Sequence, residues 1–222
     1  MDEKITPFIS TGSTADSTVE PLFCYFTAQS THLLSLEIDP KLIKDCRSGN
    51  RKAQFALYRL CYPLLMGTCL RYRKNEPDAA AMLNQAFLKI LDNLDRWADE
   101  VPFAAWAKRI TINTLIDDFR KNRKVKELIA STSIHDLPEA QGGVDYNEAD
   151  KQFDAEQLEA FIRKLPPMTA KVFNLFAIDG YPHTEISPML GISEGTSRWH
   201  LSSARKKLQE MMRNAMNASK IV

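Results

Sequence analysis

Apolar residues recur every three or four positions along most of this chain from about residue 40 onward. In one long segment the spacings between successive apolar residues are three, four, three, four and three, which is typical of one buried helical face. The residues of that stripe are Phe55, Tyr58, Tyr62, Leu65, Cys69 and Tyr72. Pro63 lies inside the segment and predicts a bend. No segment alternates like a half-buried strand, so we expect an all-α protein.

Three more helices are predicted around this one. The first begins near Pro40 and stops at Gly49, the third follows Pro77 and ends near Trp97, and the fourth covers about 103–124. The fourth helix is apolar on two sides, which predicts packing between neighbours. Its sides are formed by Phe103, Trp106, Ala107, Ile110 and Thr114, and by Ile112, Leu115, Ile116 and Phe119. Arg109, Asn113, Arg120 and Lys124 form a polar stripe between them.

The end of the chain predicts a helix-turn-helix. A short helix is followed by Gly191, which tolerates a left-handed turn, and by Ser193, which is suited to cap the next helix. That helix has an inner stripe of Ser197, Leu201, Ala204, Leu208 and Met211, and an outer one of Arg198, Ser202, Arg205 and Gln209. The second helix of such a motif enters the DNA major groove. The alternative is a solvated basic helix that closes a bundle.

Charge divides the chain into blocks, although its net charge is only +1. Residues 104–126 carry seven basic and two acidic residues, 127–160 one basic and nine acidic, and 161–222 nine basic and four acidic. This pattern favours two small helical domains joined by a flexible acidic linker, the second containing the helix-turn-helix. We predict a disordered tail over 1–36, domains over 37–126 and 153–215, the linker over 127–152, and a second tail over 216–222.

Composition excludes several classes of protein. The chain is 44% hydrophobic and 26% charged, as in ordinary globular proteins. No apolar run approaches the ~18 residues that span a bilayer, and the N-terminus lacks a secretory pattern, so we expect a cytoplasmic protein without membrane insertion. The cysteines and histidines are scattered, and no nucleophile–base pair or paired catalytic carboxylates emerge. We therefore predict no metal, no cofactor and no enzymatic activity.

Three segments in order resemble a bacterial extracytoplasmic-function (ECF) RNA polymerase sigma factor, over about residues 38–215. LNQAFLKI at 83–90 resembles the surface for the polymerase clamp helices, and residues 103–120 resemble the promoter-melting helix. Leu-Pro-Pro at 165–167, with Gly180 and GISEGT at 191–196, resembles the minus-35-binding module. The resemblance implies a monomer when free, with core RNA polymerase and promoter DNA as partners and an anti-sigma factor as a further possible one.

The resemblance also implies residue roles. Core polymerase would bind Leu83, Asn84, Gln85, Phe87 and Leu88. The minus-10 region would be bound and melted by Trp97, Lys108, Arg109, Asn113, Arg120, Lys121, Arg123 and Lys124. The minus-35 element would be read by Thr196, Arg198, Trp199, Ser202, Arg205 and Lys206. Trp97 could hold an unstacked base of the opened strand or, alternatively, form a lid on the core.

The chain departs from the family pattern in two places. Ala81, Asn84 and Gln85 stand where the family usually carries acids, which suggests that core binding depends more on apolar contacts. Pro182 and Pro188 fall in or near the first helix of the helix-turn-helix, so that helix should be bent or short. Two other functions stay open: a stand-alone helix-turn-helix regulator, and a degenerate sigma-like module that only binds a protein partner.

Overall fold

In a computed structural model, the structure describes residues 38–98, 100–129 and 155–219, with backbone alone at 124–129, 155–156 and 218–219. All regular structure in these ranges is helical, as predicted. The helices are α1 (Pro40–Arg47), α2 (Arg51–Tyr72), α3 (Glu76–Asp92), α4 (Phe103–Ile129), α5 (Ala155–Arg163), α6 (Pro167–Phe173), α7 (His183–Leu190) and α8 (Glu194–Ser219). None of them is long and apolar enough to cross a membrane.

Helices α1 to α4 form the first module. Short polar side chains start three of them: Asp39 accepts a 2.8 Å hydrogen bond from the Lys41 amide, Asn50 caps α2, and Asn75 caps α3. Helices α2, α3 and α4 pack on one another around a core whose most deeply buried side chains include Leu57, Cys61, Leu65, Leu83 and Ile90.

The aromatic stripe predicted on α2 is only partly buried. Leu65 and Cys69 are in the core, but Phe55 is 63% exposed and Tyr62 is 38% exposed. Because α2 is apolar around much of its circumference, its sequence contains two apolar stripes, and either could have been the buried one. Burial follows the set formed by Ala53, Leu57, Cys61, Leu64 and Thr68. The prediction was therefore wrong at Phe55 and Tyr62, which lie on the surface beside α3.

Helix α4 contributes to two cores, where the two apolar sides predicted only packing between neighbouring helices. Ala107 packs with the first module, whereas Ile112 and Ile116 pack with α5 to α8. Leu115 was assigned to the side of Ile112 but packs in the first core, so that assignment was wrong. The two modules therefore touch, in contrast to a pair of domains held only by a flexible linker. Helix α4 extends beyond the predicted end at Lys124, so 127–129 of the predicted linker are helical. The predicted tail over 216–222 is also helical at 216–219, where α8 continues. Residues 130–152 of the predicted linker, the predicted tail over 1–36 and residues 220–222 lie outside the described residues.

A turn at Gly180 positions Asp179 in the second module. After α6 the backbone continues as a π-helical segment, Asn174–Ile178, and reverses at Gly180, whose φ is +76°. The Tyr181 amide then donates to the Leu175 carbonyl at 2.9 Å, which closes the turn around Asp179. Asp179 is thereby fixed at the end nearest to α2 and α4.

Helices α7 and α8 follow one another across a tight turn, in the order expected for a helix-turn-helix. Helix α7 is short and contains Pro188, and Gly191 follows it with a φ of +66°. The Ile192 amide donates to the Ser187 carbonyl at 3.1 Å, a closure typical of a glycine-terminated helix. Ser193 accepts a 3.0 Å hydrogen bond from the Thr196 amide, so it caps α8 as predicted.

Candidate nucleic-acid interface

The predicted minus-10 residues on α4 divide into a group that faces solvent and a group that contacts the second module. Asn113, Arg120 and Lys121 are exposed, on the side of α4 that faces solvent. Lys108, Arg109 and Arg123 instead contact the second module. The side chain of Lys124 lies outside the described part of the structure. Of the four residues predicted to share one polar stripe, Asn113 and Arg120 face solvent and Arg109 contacts the second module.

A surface recess of about 270 Å³ lies between the end of α3 and the middle of α4. Its lining includes Lys89, Asn93, Arg96, Trp106 and Asn113. The aromatic ring supplies a stacking surface, and the cations and amides supply groups for phosphates and base edges. Of these residues the sequence predicted only Asn113. Lys89 lies in the last turn of α3 and Arg96 just after that helix, and their positive charge is the sequence feature that could have indicated them.

Trp97 takes the lid position rather than an open one. Its ring meets Phe103 edge-on at 5.3 Å between centroids, and its Nε1 atom donates to the Val101 carbonyl at 2.8 Å. Arg47 donates to the carbonyl of Trp97 at 3.3 Å, which ties the loop to α1. The indole N–H is thus already used within the loop.

Lys108 points into the junction between the modules. Its Nζ atom lies 2.9 Å from Oδ1 of Asp179, and its side chain is only 16% exposed. The same oxygen accepts a 2.9 Å hydrogen bond from Arg71, and Oδ2 accepts one of 2.7 Å from the Tyr72 hydroxyl. The Asp179 side chain is fully buried. Lys108 was predicted to bind DNA, but in this arrangement it neutralises a buried carboxylate.

Two further α4 cations bridge to the second module. Arg109 lies 3.5 Å from Glu185, in a pair that is largely exposed. Arg123 donates to the Leu190 carbonyl at 3.3 Å, at the C-terminal end of α7 where free carbonyls favour a cation. We call this arrangement, in which the second module contacts α4 and the end of α2, the closed arrangement. In it, α7 and the turn at Asp179 contact part of the predicted minus-10 set.

Burial also perturbs a tyrosine beside this junction. Burial, followed by the neighbouring Asp179 carboxylate, raises the pKa of Tyr72 well above its ordinary value. Tyr72 therefore stays a neutral hydrogen-bond donor to Asp179 at any physiological pH.

The predicted recognition helix presents a mixed surface. Arg198 and Lys206 are exposed, and Arg198 is paired with Glu194 at 3.5 Å one turn earlier. Thr196, Trp199, Ser202 and Arg205 are half-buried, and the ring of Trp199 meets His200 edge-on at 4.9 Å. The inner stripe is buried as predicted at Ser197, Leu201, Ala204 and Leu208.

Two histidines are held inside the second module. His183 is within 2.8 Å of the Ser197 hydroxyl and stacks on Phe176 at 4.6 Å. His200 is within 3.0 Å of the Thr169 hydroxyl. Burial lowers the pKa of both, and Arg198 and Arg205 lower that of His183 further. Among the described residues, no group of three potential ligands could hold a metal ion.

The predicted polymerase-binding residues also divide by burial. Leu83 and Phe87 lie in the core, with 0% and 6% of their surface exposed. Gln85 is exposed and Leu88 is 61% exposed. Asn84 accepts a 3.0 Å hydrogen bond from the Tyr58 hydroxyl, which joins α3 to the exposed aromatic residues of α2. Phe55 and Tyr62, which the aromatic stripe of α2 assigned to the core, are exposed on the same helix as Tyr58.

Comparison with known proteins identifies the class. The family model for ECF sigma factors matches residues 39–214, so the chain belongs to the ECF sigma factor family. Its role is that of a sigma factor with RNA polymerase, and the family is regulatory rather than enzymatic.

Individual relatives are distant but cover most of the chain. It is 26% identical to the RNA polymerase sigma factor CnrH of Cupriavidus metallidurans over 181 residues, which span 79% of this chain and 95% of CnrH. It is 24% identical to SigW of Bacillus subtilis over 180 residues, spanning 78% and 96%. The match to SigE of Mycolicibacterium smegmatis, at 24%, spans 70% of this chain and 57% of SigE. A structure of CnrH in complex with the cytosolic domain of CnrY has a TM-score of 0.41 at 21% identity, covering 78% and 96% of the two chains.

Proposed function

We propose that this chain binds core RNA polymerase and directs it to promoters, which it recognises at two elements and melts at the downstream one. The observation that carries this proposal is the arrangement on the first module. A polar recess with an aromatic wall lies next to exposed Asn113, Arg120 and Lys121 on the helix that resembles the melting helix.

Polymerase binding is assigned to the surface formed by Phe55, Tyr58, Tyr62, Asn84 and Leu88. Three of its side chains are large, apolar and exposed, and exposed apolar groups that cluster mark interaction sites. The acids usual in the family are absent at Ala81, Asn84 and Gln85. Association would therefore depend on apolar burial at about 25 cal/mol per Å² rather than on ion pairs.

Promoter melting is assigned to the recess and the exposed stripe of α4. Arg120 and Lys121 would hold phosphates, while a base that leaves the stack would lie against Trp106 in the recess. Trp97 supports the loop from the core side rather than stacking on the base. This assignment moves base capture from the predicted Trp97 to Trp106.

Recognition of the upstream element is assigned to α8. Arg198 is exposed at the start of the helix, where side chains of a recognition helix contact base edges, and Lys206 is placed for a phosphate. Arginine suits the paired acceptors of guanine. Asp179 and the Leu190 carbonyl hold this module against α4 in the closed arrangement, so it must separate from α4 before both elements are bound.

Reconstitution with core RNA polymerase tests the proposal. Leu88→Asp should abolish pull-down of core and run-off transcription together, since it places a charge in the apolar contact. Leu60→Asp is the matched control, because Leu60 is also exposed but lies on the opposite side of α2 from Tyr62. Stable core binding without transcription from any template would favour the sequestering module. A wild-type chain that binds the promoter as tightly without polymerase as with it would favour the stand-alone regulator.

A further inference from the structure

The carboxylate of Asp179 holds the two modules together through atoms of three different side chains. Arg71 and Lys108 each lie 2.9 Å from Oδ1, and Tyr72 donates to Oδ2 at 2.7 Å. Arg71 and Tyr72 end α2, and Lys108 lies on α4, so all three partners belong to the first module. Asp179 itself is supplied by the second module.

The cluster contains more positive than negative charge. Two cations, each with only 16% of its side chain exposed, face one fully buried carboxylate, and Asp179 between them offsets their mutual repulsion. Removing the charge of Asp179 would leave two cations facing each other across the junction. The closed arrangement is thus conditional on this carboxylate.

In the closed arrangement, two buried polar atoms beside the cluster lack hydrogen-bond partners. Arg71 Nε and Asn174 Oδ1 are buried and have no hydrogen-bond partner, although Asn174 Nδ2 donates to the Arg71 carbonyl at 3.0 Å. Separation of the modules would hydrate both atoms. Because each unpaired buried group carries a desolvation penalty, these atoms favour opening and offset part of the apolar contact made by Ile112 and Ile116.

The closed arrangement is incompatible with binding two promoter elements. Their positions, minus 10 and minus 35, differ by about 25 base pairs, or roughly 85 Å at 3.4 Å per base pair. In the closed chain Lys108 and Asp179 are in direct contact. Closure also occupies Lys108, Arg109 and Arg123, three of the cations predicted to meet DNA.

We propose that Asp179 is an autoinhibitory latch, which keeps the free chain closed and must release Arg71 and Lys108 before the chain binds a promoter. This inference rests on the proposed function for its consequence, although the latch itself is a property of the free chain. Opening would exchange one anionic partner for another, because the DNA phosphates offer Lys108 the charge that Asp179 gives up.

The test measures closure and DNA binding separately. Two fluorophores, attached at the exposed positions Lys52 and Glu210 through encoded unnatural residues, report the separation of the modules by energy transfer. Asp179→Asn should lower the transfer efficiency of the free chain and raise its affinity for a promoter fragment several-fold, since a closed population reduces apparent affinity in proportion. Glu185→Gln, which breaks the exposed pair with Arg109, is the matched control and should leave the transfer unchanged.

If Asp179→Asn does not fold, the labelled chain with Asp179 intact still tests the latch. The wild-type chain should give high transfer when free and low transfer in the promoter-bound holoenzyme. Low transfer in the free wild-type chain, or wild-type transfer in a folded Asp179→Asn variant, would overturn the latch. A different outcome separates the two proposals. If the free Asp179→Asn chain opens but no variant and no wild-type chain supports transcription, the promoter function is rejected and the latch is not.

Discussion

The Nζ atom of Lys108 lies 2.9 Å from Oδ1 of Asp179, which links the helix that resembles the melting helix to the turn that precedes the helix-turn-helix. A short distance away, Arg109 meets Glu185 at 3.5 Å in a pair that remains largely exposed. The two neighbouring cations therefore differ in burial while sharing an element and a charge.

This difference predicts unequal effects on stability. Lys108→Met should lower the free energy of unfolding by roughly 1–3 kcal/mol, less than the 3–5 kcal/mol expected when a buried charge loses its only partner, because Arg71 still pairs with Asp179. Arg109→Met should cost less than about 1 kcal/mol, as for an exposed ion pair. Urea denaturation followed by circular dichroism measures both. Equal losses would show that burial of the Asp179 cluster contributes nothing.

Arg120 tests the phosphate assignment on α4. Arg120→Ala should reduce open-complex formation and lower the slope of log affinity against log salt by about one unit, since one phosphate contact is lost. Its folding should change by less than ~0.5 kcal/mol. Lys44→Ala, an exposed cation on α1, which packs on α2, is the control and should leave the slope unchanged. An unchanged slope for Arg120→Ala would assign this side chain to a merely solvated face.

Part of this site could be predicted from sequence and part could not, for physical reasons. The periodicity of α4 has two apolar sides, so its packing between neighbouring helices followed from local pattern, although the contact with the second module did not. The turn at Gly191 and the cap at Ser193 also depend on local chemistry. Asp179 gave no such signal, because its burial depends on Arg71 and Lys108, which are distant in sequence. Phe55 and Leu57 are equally apolar, and only tertiary packing decides which one is exposed.

The histidines predict acid sensitivity of the second module. The folded state resists protonation of His183 and His200, whose pKa values are lowered, while the unfolded chain takes up protons near the ordinary value of 6.5. Unfolding therefore binds protons below that value, so stability is full above about pH 6.5 and is lost as the pH falls toward the lowered pKa values.

Thermal melting between pH 7.5 and pH 5 measures this effect. His183→Gln should show a smaller fall in melting temperature than the wild type, because glutamine does not titrate. The residual fall in the variant reports His200 and the carboxylates. Identical pH profiles for variant and wild type would contradict the assignment to His183.

Gly191 predicts a stability effect that comes from the backbone alone. A Cβ atom at this position would meet nothing within 4 Å, but the φ of +66° is unfavourable for other residues. Gly191→Ala should therefore cost about 1–2 kcal/mol, and Gly191→Asn less, since asparagine tolerates the left-handed region. Melting of the two variants distinguishes backbone strain, which orders them in this way, from a steric clash, which would penalise asparagine more.

Promoter opening is the central claim, and permanganate footprinting measures it most directly. The holoenzyme formed with this chain should render thymines reactive in a discrete region just upstream of each start site. A Trp106→Ala variant should lose that reactivity. Circular dichroism and pull-down check that the variant is folded and still binds core polymerase. If a holoenzyme that contains the wild-type chain leaves all thymines unreactive on every promoter of a genomic library, or if Trp106→Ala opens DNA normally, the assignment of promoter melting to α4 and its recess is contradicted.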